Sequence, residues 1–334
     1  MYTEKEEMDA KITKKRLSHM LSYDWLKIIG ACVVAIIVWT LVFTTSATRI
    51  TPAQQFSVFS YKGNTMLGTK FHDSYNRAFE NGVFSHEVLE LTTNDLTTAN
   101  EYLQTVLEAR LTTDEGDVIF VADAPDADTE YEENGETKTL TYLRSFVGSW
   151  YYKLMRLDGE DGYFAKMETY LDTYYNGDYV TGELNKQLVE SSFRARIKEN
   201  KDKRYKTDEQ INAGIEGEYD RFEKYRTALI NFNSYVEKGY VTFTDVTLQN
   251  ANGEAVTRTY GINLCPTESM EGLKEIVSYV EQVTDENGTT KTNTTAKNMN
   301  VCLFDLEVEE GFQYEGLLYV NYIIESYGTE LQNK

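Results

Sequence analysis

Histidine, cysteine and cationic side chains are all scarce in this chain of 334 residues, and each shortage closes off a class of function. Beyond residue 49 only His72 and His86 remain, so no His/Cys/carboxylate set has zinc-site spacing, and His86-Glu87 lacks the second histidine of a helical zinc motif. No Gly-x-Ser-x-Gly elbow is present, which leaves nucleophilic catalysis without a recognisable serine. Asp126-Ala127-Asp128-Thr129-Glu130 begins like a calcium loop, but the glycine and final glutamate of such a loop are out of place. No carboxylate pair stands out for glycoside hydrolysis. The expectation is therefore no catalytic residue, no metal and no cofactor. Cys265 and Cys302 are the only cysteines past residue 49, too few for a disulfide scaffold. Each sits beside a predicted strand, and a bond between them stays open.

The shortage of cations is one-sided. The first 49 residues hold seven Lys/Arg and five Asp/Glu, leaving 26 basic and 49 acidic side chains, a net of −23, for the rest. Such a surface repels phosphate backbones and anionic lipid, so no nucleic-acid partner is expected. It suits solubility in a wall-like or extracellular setting.

What is present, first, is one long apolar run. Ile28 to Phe43 carries no charge and a single polar side chain, Thr40. With its flanks it reaches about 20 residues, enough for a helix to cross a hydrocarbon core of about 30 Å. Trp25 is placed as an interfacial anchor, and Lys27 can carry its ammonium out to the headgroups. Lys11, Lys14, Lys15, Arg16 and Lys27 precede the run, while only Arg49 and Lys62 closely follow it. That bias predicts a cytoplasmic N-terminus, with residues 50–334 outside the cell membrane. Thr45-Ser46-Ala47 offers a signal-cleavage alternative, but 27 residues before the core is long for a signal. Ile29-Gly30-Ala31-Cys32 looks like a lipobox, yet most of the apolar region follows it instead of preceding it.

The boundaries follow. Residues 1–24 read as a cytoplasmic tail, 25–47 as the membrane span and 48–55 as a linker. Residues 56–139 alternate strand and helix: a strand Phe56 to Tyr61, a helix with Phe71, Tyr75, Ala78 and Phe79 closed by Asn81-Gly82, and a strand Val83 to Leu91. A helix follows with a Thr98/Glu101 capping box, then a strand within Asp117 to Asp123 whose unbroken apolar run fits burial on both faces of a parallel sheet. Residues 124–139 read as a loop. Alternation at these lengths argues for an α/β layered lobe.

Residues 140–239 read as a helical middle region, with another capping box at Thr207/Gln210. Residues 240–334 return to α/β. They begin with a hairpin, Tyr240 to Leu248 and Ala255 to Leu264, across Asn252-Gly253. A helix with Leu273, Ile276, Val277 and Val280, a polar loop 285–298, a strand Val301 to Leu306 and a last helix complete the chain.

Tyrosine reaches 25 residues, and Trp150-Tyr151-Tyr152 concentrates aromatics. Trp150 falls on an apolar helical stripe and reads as core; Tyr151 and Tyr152 lie off it and suit a small-molecule cleft. In open α/β sheets ligands gather beyond the carboxyl ends of strands. That selects Tyr61, Lys62 and Asn64 after the first strand, Thr93 and Asn94 after the second, and Asp123 after the third.

The strand Phe56 to Tyr61, the helix ending Phe79-Glu80-Asn81-Gly82, the strand His86 to Leu91 and the run from Tyr102 through Glu115-Gly116-Asp117-Val118 resemble the extracellular solute-binding proteins of ABC importers. Tyr260-Gly261-Ile262-Asn263-Leu264 is similar to that family's Tyr-Gly-x-Pro element, with Asn263 in place of the proline. The helix around Glu315-Gly316-Leu317-Leu318-Tyr319 looks like its Phe-x-x-Tyr-Leu helix. The resemblance implies a periplasmic-binding-protein type 2-like lobe, capture of a small polar ligand (a sugar or oligosaccharide by preference) and an ABC permease as partner. Here the middle region lacks strands for a full second lobe, and a helix replaces the family's lipid anchor. The alternative is a non-enzymatic scaffold of a membrane complex with the same fold and no ligand.

Overall fold

The apolar run does form a helix, α1 (Trp25–Ser46), in which the Thr40 and Thr44 hydroxyls donate to the Ile36 and Thr40 carbonyls at 2.8 Å each. The computed structural model describes residues 14–15, 18, 25–46, 50–66, 68–96, 102–133, 136–249, 252–284, 290–305 and 311–328. The chain divides at Arg49/Ile50 into two units, the second running to Lys334 without further division.

In that second unit the elements run β1 (Gln55–Ser60), β2 (Asn64–Met66), α2 (Gly68–Glu80), β3 (Glu90–Asp95), α3 (Leu103–Thr112), β4 (Val118–Ala122), β5 (Pro125–Glu133), β6 (Glu136–Thr141) and α4 (Tyr142–Trp150). The middle follows as α5 (Tyr163–Tyr174), α6 (Lys186–Glu199) and α7 (Asp208–Glu237). Then come β7 (Thr242–Gln249), β8 (Ala255–Asn263), β9 (Val277–Thr284), β10 (Thr290–Thr295), β11 (Met299–Leu303) and α8 (Glu315–Tyr327).

The main sheet has the order β3-β1-β4-β11-β8-β7. β1 runs parallel to β3 and β4, whereas β11 is antiparallel to both β4 and β8, so the sheet is mixed where the sequence suggested a parallel one. β4 is buried along its whole length, as its apolar run predicted. Val118, Phe120 and Ala122 face one core, shared with α2, α5, α7 and α8; Ile119 and Val121 face the other, shared with α3 and α4. Placing α2 and α3 on opposite faces is what right-handed crossovers demand when the chain steps from β1 out to β3 and back past β1 to β4.

Several expectations need correction. Val83 to Leu89 is irregular and the strand is Glu90–Asp95, because Ser85 and Glu87 are bonded to helices instead of to a neighbouring strand. Residues 124–139 are not a loop: β5 and β6 pair as a hairpin. The helix expected at Leu273 to Val280 is a 3-10 turn, Glu268–Glu275, followed by β9, in which Val277 and Tyr279 point inward. β-branched and aromatic side chains at alternate positions suit a strand better than a helix. β9 pairs with β2 and with β10, which takes up six residues of the expected polar loop; residues 285–289 of that loop lie outside the described residues, as does the Thr98/Glu101 capping box. Phe79 is 45% exposed and leaves the buried stripe to Phe71, Tyr75 and Ala78. No second lobe is present among the described residues.

The disulfide left open is absent: Cys265 and Cys302 are both free and buried. Cys265 belongs to the first core and Cys302 to the second, so the sheet itself stands between them.

The Thr207/Gln210 capping box is formed, with Gln210 N–H donating to the Thr207 hydroxyl at 3.3 Å and Thr207 N–H to the Gln210 side chain at 3.1 Å. It starts the 30-residue helix α7, which carries Glu218, Arg221, Lys224 and Tyr225. Thr207→Ala should therefore lower stability by about 1 kcal/mol, seen as a lower urea midpoint with an unchanged slope, while Thr207→Ser should stay close to the original.

Candidate functional site

The carboxyl ends of β1 and β4 form a topological switch point, the place where an open α/β sheet would hold a ligand. Here the chain fills it. Lys62 Nζ lies 2.6 Å from Asp126 Oδ2, a carboxylate 1% exposed, and 5.8 Å from the centre of the Tyr142 ring. Gly63 has φ +83° and no room for a Cβ against that ring, so the turn after β1 is closed down on α4. Tyr61 is buried against Phe146; burial, with Asp126 nearby, pushes its hydroxyl up to about 12.

The other sequence-predicted residues do not converge there. Thr93 and Asn94 lie inside β3, opposite Val58 and Phe59, and not beyond its end. Asn64 opens β2, where its backbone pairs with Tyr279. Asp123 follows β4 and its N–H donates to the Asn298 carbonyl at 2.9 Å. Tyr151 and Tyr152 are exposed beyond the far end of α4, about 13 Å along the helix from Tyr142 at about 1.5 Å per residue.

A different cluster carries the strongest electrostatics. The irregular segment after α2 presents Ser85, His86 and Glu87 to three helices. Arg196 of α6 donates from Nη2 to Glu87 Oε1 at 3.1 Å and to Glu218 Oε1 at 2.8 Å. Arg204, between α6 and α7, donates from Nη2 to Glu87 Oε2 and to Asp202 Oδ2, both at 2.6 Å. Arg221, one turn after Glu218 on α7, donates to Glu218 Oε2 at 2.6 Å and to the Tyr170 hydroxyl at 3.3 Å. The Ser85 N–H and the Tyr225 hydroxyl donate to Glu315 at the start of α8, at 3.1 and 2.7 Å. Lys224 Nζ donates to the Phe84 carbonyl at 2.9 Å. Gly217 makes the approach possible, since a Cβ there would lie 2.6 Å from the His86 ring.

Burial alone would raise the Glu87 carboxyl; the close His86 ring and the Arg196 and Arg204 guanidiniums override it and bring the group to about 2. Glu218 is likewise held below the usual range, burial being outweighed by Arg221 and Arg196. Glu315 goes the other way: burial raises it despite the Ser85 and Tyr225 hydrogen bonds. His86, Glu87 and Glu218 bring three donor atoms within 4.8 Å of one another, the spacing of a metal site. The Arg196 guanidinium, however, bridges the same two carboxylate oxygens that a metal would use. A cation already occupies the position, and the cluster is a structural one. Its one signal in the sequence was Glu218 and Arg221 at positions i and i+3 among the buried residues Ile215, Phe222 and Tyr225 of α7.

No protein-family profile, curated protein or solved structure matches this chain.

The depressed Glu87 and Glu218 groups stabilise the fold above their ordinary pKa of 4.5, and this contribution is lost as pH falls through their folded values, for Glu87 toward about 2. Glu87→Gln should lower stability at pH 7 by about 3 kcal/mol and make the fall between pH 4.5 and 2 shallower, both measurable by urea unfolding at a series of pH values.

Proposed function

We propose that this chain is a single-pass membrane protein whose folded unit, residues 50–334, is a non-catalytic interaction module of a membrane complex, held outside the cytoplasm by α1. The observation that carries this reading is the undivided unit itself. Capture by hinge closure needs two lobes with a cleft between them, and here Ile50 to Lys334 cluster as one unit whose switch point is filled by Lys62, Asp126 and Tyr142. The two buried carboxylates held below the usual range, Glu87 and Glu218, are engaged by arginines. The two raised by burial, Asp117 and Glu315, accept hydrogen bonds, from Ser57 N–H and from Ser85 N–H and the Tyr225 hydroxyl respectively. The excess of Lys/Arg before α1 supports the orientation.

One observation favours a second reading, capture of a small polar solute for an ABC importer. An open cleft of about 570 Å³ lies between α2 and the Glu268–Glu275 turn, lined by Lys70, Asp73, Arg77, Glu80, Glu275 and Tyr327. Its size falls within the range of ligand sites, and its polar lining suits a polar solute.

Crosslinking in intact cells tests the first reading: a scaffold keeps the same neighbours with or without nutrient, and a chain with no neighbours under either condition is not one. The solute reading expects a raised melting temperature with some member of sugar, amino-acid or peptide panels. For orientation, a membrane-impermeant maleimide should label Asn252→Cys in intact cells and leave Lys11→Cys unlabelled until the membrane is permeabilised, in a Cys32→Ser background.

A further inference from the structure

The groove between α7 and α8, beside the turn at Gly82 and Val83, has a volume of about 350 Å³, lies away from the switch point and meets the charge cluster at Lys224. Its floor is apolar, made by Val83, Ala228 and Leu318. Its rim is acidic: Asp220 and Glu223 on α7 and Glu325 on α8. The one cation in the lining, Lys224, is already engaged, 2.8 Å from Asp220 and donating to the Phe84 carbonyl at 2.9 Å. The groove therefore keeps a net negative charge on a chain that is itself strongly acidic.

A second observation bears on the same place. Asn321 of α8, 5% exposed, borders the groove; its Nδ2 donates to the Ala228 carbonyl at 2.7 Å, and its Oδ1 is buried with no hydrogen-bond partner. A buried acceptor without a donor is costly, and a donor arriving from the groove would remove that cost. The other carboxylates can shed part of their present engagement: Glu325 accepts a neutral hydroxyl, from Tyr235 at 2.8 Å, and Glu223 lies beside the Tyr175 hydroxyl and 3.8 Å from Arg226, too far for a hydrogen bond to the guanidinium.

An apolar floor, an acidic rim and a buried unpaired acceptor together fit a side chain with an aliphatic stem and a cationic, donor-only head. We propose that this groove receives a lysine side chain of a partner protein, the stem lying on Leu318, Ala228 and Val83, and the ammonium held by Glu223 and Glu325 with one N–H directed to Asn321 Oδ1. Lysine fits because its stem buries along apolar surface while its head seeks acceptors. The proposal rests on the interaction reading above and specifies where on the folded unit a partner docks. It also predicts a basic partner, whose encounter with so acidic a surface is accelerated at low salt.

The test uses the full chain in neutral-lipid nanodiscs with two probes, Nα-acetyl-lysine amide and its Nε-acetylated counterpart, which keeps the stem and loses the charge. Saturation-transfer NMR should show the lysine probe binding, and binding should weaken about fivefold for the acetylated probe and about fivefold for Glu223→Gln and Glu325→Gln, as expected for loss of one ion pair worth up to about 1 kcal/mol. Asn321→Leu should weaken it as well; because that change could disturb α8, the two exposed glutamate variants carry the result independently. No transfer to the lysine probe, or equal transfer to both probes, overturns the proposal, as does binding that survives both glutamate changes. Stronger binding of 1,5-diaminopentane than of the lysine probe also overturns it, since the groove would then be a small-amine site. A photocrosslinker placed at Asn231, on the groove's edge, separates this proposal from the reading it rests on. Neighbours captured in cells from other faces but never from Asn231 reject the groove alone, whereas no neighbours from any face reject the interaction reading too.

Discussion

Two carboxylates without solvent, Glu87 and Glu218, set the terms for this fold. A buried carboxylate without a partner costs several kcal/mol, so wherever the chain buries these two it must also bring guanidiniums. They come from separate places: Arg196 from α6, Arg204 from the connection after it, and Arg221 from α7. None of the bonds to Glu87 can form until the middle of the chain has returned to the segment following α2. The same segment is tied to α8 through Ser85 and Glu315. One set of hydrogen bonds therefore fastens the helical middle and the last helix to the first βαβ unit. Together with the apolar core that α2, α5, α7 and α8 share against the sheet, these bonds tie the helical middle onto the sheet within the single unit 50–334.

Local periodicity made part of this readable. β1, α2, α3 and β4 each carry a clean period of two or 3.6, or an unbroken apolar run, and each forms close to where that pattern puts it. The β7–β8 hairpin announces itself through Asn252-Gly253, and α7 through Thr207 and Gln210. The misreadings share a cause. β5, β6 and β10 are composed of charged and polar residues that resemble a loop, yet each pairs with a strand that leaves at least one face to solvent, which antiparallel ribbons tolerate. β9 has apolar residues at spacings compatible with either period, and only its pairing with β2, more than 200 residues earlier in the chain, decides between them.

The candidate ligand residues fared differently from the fold because the rule that selected them concerns an edge, and an edge can be built over. The switch point exists, with Tyr61, Lys62 and Asp123 at the ends of their strands. What the sequence did not reveal is that Asp126, read as part of an acidic loop, would fold back as the partner of Lys62, or that Tyr142 would close over it. The polar cluster was harder still to foresee. Its partners are separated by 109 positions for Glu87 and Arg196 and by 230 for Ser85 and Glu315, and nothing in either neighbourhood marks the match. Only the placement of Glu218 and Arg221 on a buried helical stripe breaks a local rule, and such breaks are where long-range structure shows in a sequence.

The charge distribution then links architecture to role. A folded unit with a net of −23 repels itself, and that repulsion is carried mainly by exposed side chains, because Glu87 and Glu218 are paired with arginines and burial favours the neutral form of Asp117 and Glu315. The surface charge is therefore available to partners in a way the buried charge is not. Salt screens exposed charges over about 8 Å at physiological ionic strength, so the acidic surface favours cationic partners at short range and gives little selectivity among them. Selectivity has to come from places where shape and charge coincide. The groove between α7 and α8 is one: both its helices are held by the Glu87–Glu218 cluster, through Arg221 and Tyr225 on one side and Glu315 on the other. The cluster that ties the helical middle to the first strands and helix thus also holds both walls of the groove, so that its shape depends on contacts buried behind it.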